Sequence, residues 1–197
     1  DYIDLYQLHG GTIDDPIDET IEAFEELVEE GVIRYYGISS IRPNVIKEYA
    51  KKSNIVSVMM QYSLLDRRPE EWFSLLEEQS ISVVARGPLA KGLLTEKPLS
   101  QASAAIQKNG YLQYSFEELQ QIIPSLKKVA YDLSLTELSI QYILKHSAVS
   151  SVVFGASSVD QLKENIAAAN ARSLSDQEVK ALTYYTKPSV YETHRFK

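Results

Sequence analysis

Five short apolar runs, each followed by a segment of helical periodicity, leave this chain few architectures. The runs cover residues 2–9, about 34–40, 55–65 with the strand ending near Gln61, 81–86, and 150–154. Strands that alternate with helices pair in parallel, so the expected fold class is α/β with a parallel sheet. Ser82-Val83-Val84-Ala85 and Val152-Val153-Phe154 are apolar at successive positions, which predicts cover on both strand faces. In the first run Ile3, Leu5, Gln7 and His9 share one face. His9 therefore ends a mostly apolar row, where a buried face is expected to meet a loop.

The intervening segments carry helix signals. Asp15-Pro16 reads as an N-cap with proline at the first helical position. Ile17, Ile21, Phe24, Leu27 and Val28 then repeat on one side, Glu25, Glu26, Glu29 and Glu30 form a solvated side, and Gly31 closes the helix. Residues 43–52 predict a short helix with Val45, Ile46 and Tyr49 inward. Residues 70–79 predict another that buries Trp72, Phe73, Leu75 and Leu76. Ser115 with Glu118, and Ser134 with Glu137, are capping-box pairs opening helices to about Leu133 and to His146. A helix over 159–171 and one opened by Ser175 and Glu178 complete the series. Residues 87–114, rich in Gly, Ser, Lys and Gln, read as a long functional or mobile loop, and residues 186–197 as a tail.

Composition narrows the class. A chain of 197 residues fits one domain, or a large piece of a bigger one. Its net charge of -7 argues against a nucleic-acid surface. No run approaches the roughly 20 apolar residues of a membrane span. The absence of cysteine rules out disulfides and thiolate metal sites and suits the cytoplasm. The chain opens at Asp1, directly inside a strand, as expected of a truncated product.

An open doubly wound sheet should show G-x-G-x-x-G after its first strand, and Gly10-Gly11 lacks that spacing. An eight-stranded barrel instead gathers active groups at the C-terminal ends of several strands, with phosphate sites after the seventh and eighth. Functional groups here end nearly every strand, and turns at Gly87 and Gly155 follow the last two. If those two are the seventh and eighth, the first is the fourth. The expected architecture is then a (β/α)8 TIM barrel present as strands 4–8 with their helices, the N-terminal βα units absent, in a single domain over 1–197.

Five segments in this order resemble the aldo-keto reductase family. They are Asp1-Tyr-Ile-Asp-Leu-Tyr-Gln-Leu-His9, Glu30 to Ser40, Gln61-Tyr-Ser-Leu-Leu65, Arg86-Gly-Pro-Leu-Ala-Lys-Gly-Leu-Leu94 and Gly155 to Asn165. The resemblance implies NAD(P)H-dependent reduction of an aldehyde or ketone to an alcohol by direct hydride transfer. It implies that His9 orients the carbonyl oxygen as a hydrogen-bond donor and that Ser39 and Gln61 hold the nicotinamide carboxamide. Arg86 would face the nicotinamide ring, and Gly87, Leu89 and Lys91 would pass beside the pyrophosphate. Gly155, Ser157, Gln161, Glu164 and Asn165 would embrace the adenosine half. Family habit favours NADP (NADPH), with NAD as the alternative, and no metal.

Two departures stand out. Ser40 replaces the family's usual asparagine, and Arg86 stands where an aromatic ring usually stacks, although a guanidinium is also planar. The family's catalytic tyrosine, lysine and aspartate fall on strands upstream of this sequence. Tyr6 and Tyr62 point by parity away from His9 and Gln61. Reductase activity is therefore expected of the parent protein rather than of these residues alone. The alternatives are a non-catalytic, redox-sensing barrel of the same family and an unrelated barrel binding a sugar phosphate at the Gly87 and Gly155 turns. The expected partner is a small carbonyl substrate, with no nucleic acid or membrane, and a monomer is favoured. The 87–114 loop is a candidate flap over the pyrophosphate. The tail is a candidate to cross the barrel mouth and offer Arg195 to an anionic substrate.

Overall fold

A computed structural model describes residues 1–195; Phe196 and Lys197, the end of the expected tail, lie outside the described residues. Strands β1 (Ile3–His9), β2 (Ile33–Ser39), β3 (Ser57–Gln61), β4 (Ser82–Arg86) and β5 (Val149–Val153) form one sheet in chain order. Every neighbouring pair is parallel. All five C-terminal tips therefore lie at one end, as the sequence pattern requires. Register places His9 opposite Ser39 and Ser39 opposite Met59, while Gln61 lies opposite Arg86 and Arg86 opposite Val153. Neighbouring strands are about 4.8 Å apart, so consecutive tips are within side-chain reach.

Helices α1 (Ile17–Glu29), α2 (Pro43–Lys52), α3 (Phe73–Glu78), α6 (Leu135–Leu144) and α7 (Val159–Ala169) connect or follow these strands. Between β4 and α6 lie α4 (Ala104–Asn109) and α5 (Phe116–Lys127), and α8 (Asp176–Tyr185) precedes the tail. The core forms where Ile38, Val58, Met60 and Val83 meet Val45, Ile46, Leu76 and Leu138, all fully buried. Phe24 of α1 stacks on Tyr36 of β2 at 4.9 Å between centroids. Gly37 lets β2 and β3 approach, since a Cβ there would lie 2.5 Å from the Ser57 hydroxyl and 2.6 Å from its carbonyl. No helix among the described residues is long and apolar enough to cross a membrane.

Several expectations need correction. The five expected strands form, and β1 and β5 are the outer strands of the described sheet. Consequently Ile3, Leu5 and Val153 are exposed, so neither the row ending at His9 nor β5 is covered as predicted. Asp15 does not cap α1; its carboxylate accepts from the Thr12 amide and hydroxyl in the preceding loop. Glu25 is not simply solvated, because it accepts from the Tyr36 hydroxyl and from Asn54.

The helix predicted over 70–79 is a 3-10 turn, Arg68–Trp72, running into α3. Trp72 and Leu75 are only half-buried there. Helix α5 stops at Lys127 rather than near Leu133, as the Lys128 and Val129 amides tighten onto Ser125 and Leu126. Helices α6 and α7 likewise end two residues early. Residues 87–114 are not a loose loop, since Leu93, Leu94, Ile106 and Tyr111 are buried.

Candidate functional site

The strand tips open into two cavities. The first, about 820 Å³, is lined on the sheet side by His9, Ser39, Ser40, Arg42, Met59 and Arg86. Its opposite wall comes from Leu112, Gln113 and residues 187–194 of the tail. The second, about 700 Å³, lies between the segment after β4 and the start of α7. Gly87, Leu89, Lys91, Gly155, Gln161, Glu164 and Asn165 all line it. Arg86 and Gly87 are consecutive yet line different cavities, so both cavities flank the tip of β4.

Local chemistry explains the placement. Gly87 turns the chain away from β4 with φ +67, a conformation most side chains resist. Ser158 caps α7 by accepting from the Gln161 amide, and the Gln161 carbonyl accepts from both the amide and hydroxyl of Ser157. Ser157 is thereby turned into its own loop and lines neither cavity. Glu164 accepts from Thr136 at 3.2 Å, tying α7 to α6. Lys91 and Lys97 line the second cavity without an ion pair among the described residues, whereas Glu96 is held by Lys127 at 2.7 Å.

Gln61 is also outside both linings. Its carbonyl accepts from Arg86 at 3.2 Å, and its amide donates to Asp66 at 2.9 Å and to the Tyr111 hydroxyl at 3.2 Å. Asp66, fully buried, also takes two hydrogen bonds from Arg68, each 2.7 Å. Burial, then the charge of Asp66, pushes the Tyr111 phenol up to about 12, so it stays a neutral donor and acceptor. The result is a rigid string from Arg86 through Gln61 and Asp66 to Arg68 beneath the first cavity.

The tail is fastened rather than loose. The Lys187 amide donates to Tyr114 at 2.6 Å, its ammonium pairs with Glu118 at 2.6 Å, and the Tyr191 amide donates to Glu71 at 3.1 Å. Arg195 is not offered to a substrate: it pairs with Glu71 at 2.7 Å, on the outside of the wall. Tyr6 and Tyr62 do not reach the first cavity. The Tyr6 ring packs edge-on against Phe24, and the Tyr62 hydroxyl donates to Glu70.

The family model for the aldo/keto reductase family matches residues 1–186. The chain belongs to that family. It is 70% identical over 195 residues to a Bacillus subtilis protein named uncharacterized oxidoreductase YqkF, covering 99% of this chain and 64% of that one. An NADH-specific methylglyoxal reductase of Escherichia coli is 30% identical over 187 residues, covering 90% of this chain and 57% of the relative. Among solved structures, aldo-keto reductase AKR11C1 from Bacillus halodurans in its holo form superposes with a TM-score of 0.92 at 60% identity. That match covers all of this chain and 63% of the other. The chain thus spans under two-thirds of the length of these relatives.

Of the site residues expected for the aldo/keto reductase chain, His9, Ser39 and Arg86 share the first cavity and seven others share the second. Sequence reasoning missed Arg42, Gln113 and residues 187–190, while the candidate tail from Tyr191 does wall the first cavity. Arg42 was findable, three positions past Ser39 at a strand tip. What holds the tail was not, because its path depends on pairs with Glu71 and Glu118 that no local pattern reveals.

Proposed function

We propose that the full-length protein reduces an aldehyde or ketone to an alcohol with NADPH, and that this chain carries most of the cofactor site. The observation that carries this reading is the placement of the two cavities on either side of Arg86 and Gly87, which suits one extended ligand. A dinucleotide needs a room for its nicotinamide, a cationic passage for its pyrophosphate, and a second room for its adenosine. Lys91 and Lys97 supply unpaired charge in the second cavity, and a Cβ on Gly155 would meet open space. The residues therefore fit the group.

When bound, the reduced nicotinamide supplies the hydride. His9 donates a hydrogen bond to the carbonyl oxygen and stabilises the charge that develops there. Ser39 and Gln61 would hold the carboxamide, Gln61 giving up its bond to Tyr111 to do so. Arg86 would lie against the ring. Gly87, Leu89 and Lys91 would lie beside the pyrophosphate, and Gly155, Gln161, Glu164 and Asn165 would surround the adenosine, with Ser157 reaching it only by leaving Gln161. Lys91 and Lys97, unpaired in the second cavity beside the carboxylate of Glu164, favour NADPH over NADH. The relatives named above include an NADH-specific enzyme, so both nucleotides belong in the test.

Titration with NADPH and NADH, followed by nicotinamide fluorescence, decides the matter. Saturable binding that Lys91→Met and Asn165→Leu each weaken about tenfold, with consumption of the reduced nucleotide on adding an aldehyde, supports the proposal. A protein that leaves the fluorescence of both nucleotides unchanged would be no nicotinamide enzyme. Binding without turnover would favour the redox-sensing alternative.

A further inference from the structure

We propose that Tyr191 is a specificity-determining residue of the first cavity. Its hydroxyl, with the Gln113 side-chain amide and the Ser189 hydroxyl, hydrogen-bonds a second oxygen of the carbonyl substrate, a hydroxyl or oxo group besides the one reduced. The inference rests on the reductase reading of that cavity and deepens it.

Buried polar side-chain atoms nearly always find a partner. Among the described residues five do not: Trp72 Nε1, Gln113 Nε2, His146 Nε2, Ser189 Oγ and the Tyr191 hydroxyl. Gln113, Ser189 and Tyr191 all line the first cavity, on the wall across from His9. Packing faults would scatter over the molecule, whereas this set converges on one room. Leaving a buried donor unpaired is costly, and a ligand that pairs all three recovers that cost. The cofactor does not account for them, because on the reading above its nicotinamide lies on the sheet side with Ser39 and Arg86.

The chemistry of the set defines the ligand. The Gln113 nitrogen only donates, while the two hydroxyls donate or accept. A hydroxyl or oxo oxygen answers such a wall, and a hydrocarbon leaves it unpaired. Burial, then the charge of Asp66, pushes the Tyr191 phenol up, so it keeps its proton. The same phenol feels Arg86 at the tip of β4, which sets it toward the strand tips. Tyr191 is 4% exposed and is held without using its hydroxyl. Its amide donates to Glu71 at 3.1 Å, its carbonyl accepts from Arg195, and Arg68 lies over its ring at 4.8 Å. A group held in advance loses less entropy on binding. The Gln113 carbonyl accepts from Lys187 at 2.8 Å, which joins that residue to the tail as one wall. Leu112 and Val190, exposed on the same wall, have the freedom to turn aside and admit a ligand.

The experiment compares shape-matched substrates on the full-length protein: methylglyoxal against isobutyraldehyde, and glyceraldehyde against 2-methylbutanal. Oxygen beside a carbonyl raises its intrinsic reactivity, so the readout is how a substitution changes the kcat/KM ratio within a pair. Tyr191→Phe and Gln113→Leu should each lower the ratio in at least one pair about five- to tenfold, leaving the hydrocarbon member unchanged. Ratios that neither substitution moves overturn the inference while the reductase reading stands. Because the hydroxyl has no partner in the folded protein, Tyr191→Phe should keep or raise the thermal midpoint, and a lower midpoint would show a structural role instead. NADPH affinity should hold in Tyr191→Phe; its loss assigns the hydroxyl to the cofactor and overturns the inference. If no carbonyl compound is turned over, the reductase reading fails separately. Calorimetric titration with glyceraldehyde then tests the wall: binding lost in Tyr191→Phe supports it, and no binding overturns it.

Discussion

Glu70 offers the sharpest test of how the cavity wall is held. Its carboxylate pairs with Arg67 at 2.8 Å and accepts from Tyr142 at 2.6 Å and from Tyr62 at 3.1 Å. Arg67 in turn donates to the Thr183 and Thr186 carbonyls at 3.3 Å, the end of α8 from which the tail departs. The pair is mostly buried, with side-chain exposures of 12% and 23%. Glu70→Ala therefore strands the Arg67 charge and two phenols. Breaking a buried pair in this way costs about 3–5 kcal/mol, and the residual exposure puts the expected loss near 3 kcal/mol. Tyr142→Phe removes one hydrogen bond to a charged group, and should cost about 1.5 kcal/mol. Urea unfolding followed by circular dichroism measures both. Burial alone would raise the Glu70 pKa, but the Arg67 and Tyr142 hydrogen bonds outweigh it and hold it below 4.5. A carboxylate depressed on folding stabilises above its unfolded pKa and loses that contribution as the pH falls through its folded value. The gap between wild type and Glu70→Ala should therefore hold steady above pH 4.5 and narrow only below it. A Glu70→Ala loss under about 1 kcal/mol, or a gap that closes near neutrality, would refute this account of the wall.

Three further outcomes follow from the same coordinates. Gly37→Ala should cost about 1–3 kcal/mol by forcing β2 from β3, because the new methyl falls 2.5 Å from the Ser57 hydroxyl; thermal unfolding reads it, and an unchanged midpoint contradicts the register. His146 has its pKa lowered by burial. Its unfolded form thus takes up a proton first, so stability should drop as the pH falls below 6.5 in wild type and drop less in His146→Leu. Gly87→Val should weaken NADPH binding at least tenfold, because φ +67 is strained for valine and its Cβ would sit 3.5 Å from Gln61; fluorescence titration checks it.

The strands and their order were legible because a parallel strand declares itself through a short apolar run and its position between helices. β1 and β4 appear within a residue of their expected bounds. Three capping boxes were equally legible, since Ser115, Ser134 and Ser175 each find the glutamate three residues on. What the pattern hid was cover. Apolar content in β5 does not say whether a neighbour buries it, and Val153 lies exposed. His9, Ser39, Arg86 and the glycines of the Gly87 and Gly155 turns line one cavity or the other. Gln61 and Ser157 did not, because each is captured by a nearby polar partner that strand parity cannot foresee.

The segment least informative in sequence turns out to organise the site. Residues 66–71 follow β3 and read only as the approach to a helix, yet each charged side chain there acts on a different part of the cavity. Asp66 anchors Gln61 and Arg68, so it fixes the strand that ends at Arg86. Arg68 lies over the Tyr191 ring at 4.8 Å, bracing the tail from beneath. Arg67 with Glu70 holds the end of α8, and Glu71 receives Arg195 and the Tyr191 amide. Six consecutive residues thereby connect the floor of the first cavity to its tail wall. The 3-10 conformation matters because its three-residue turn differs from the helical pitch, fanning neighbouring side chains toward β4, α8 and the tail rather than along one face. Asp66→Asn tests this coupling: it should release Arg68 and loosen Arg86 and the tail together. Hydrogen exchange should then quicken both at β4 and at residues 187–191, and faster exchange at only one of them would show that floor and wall are held independently.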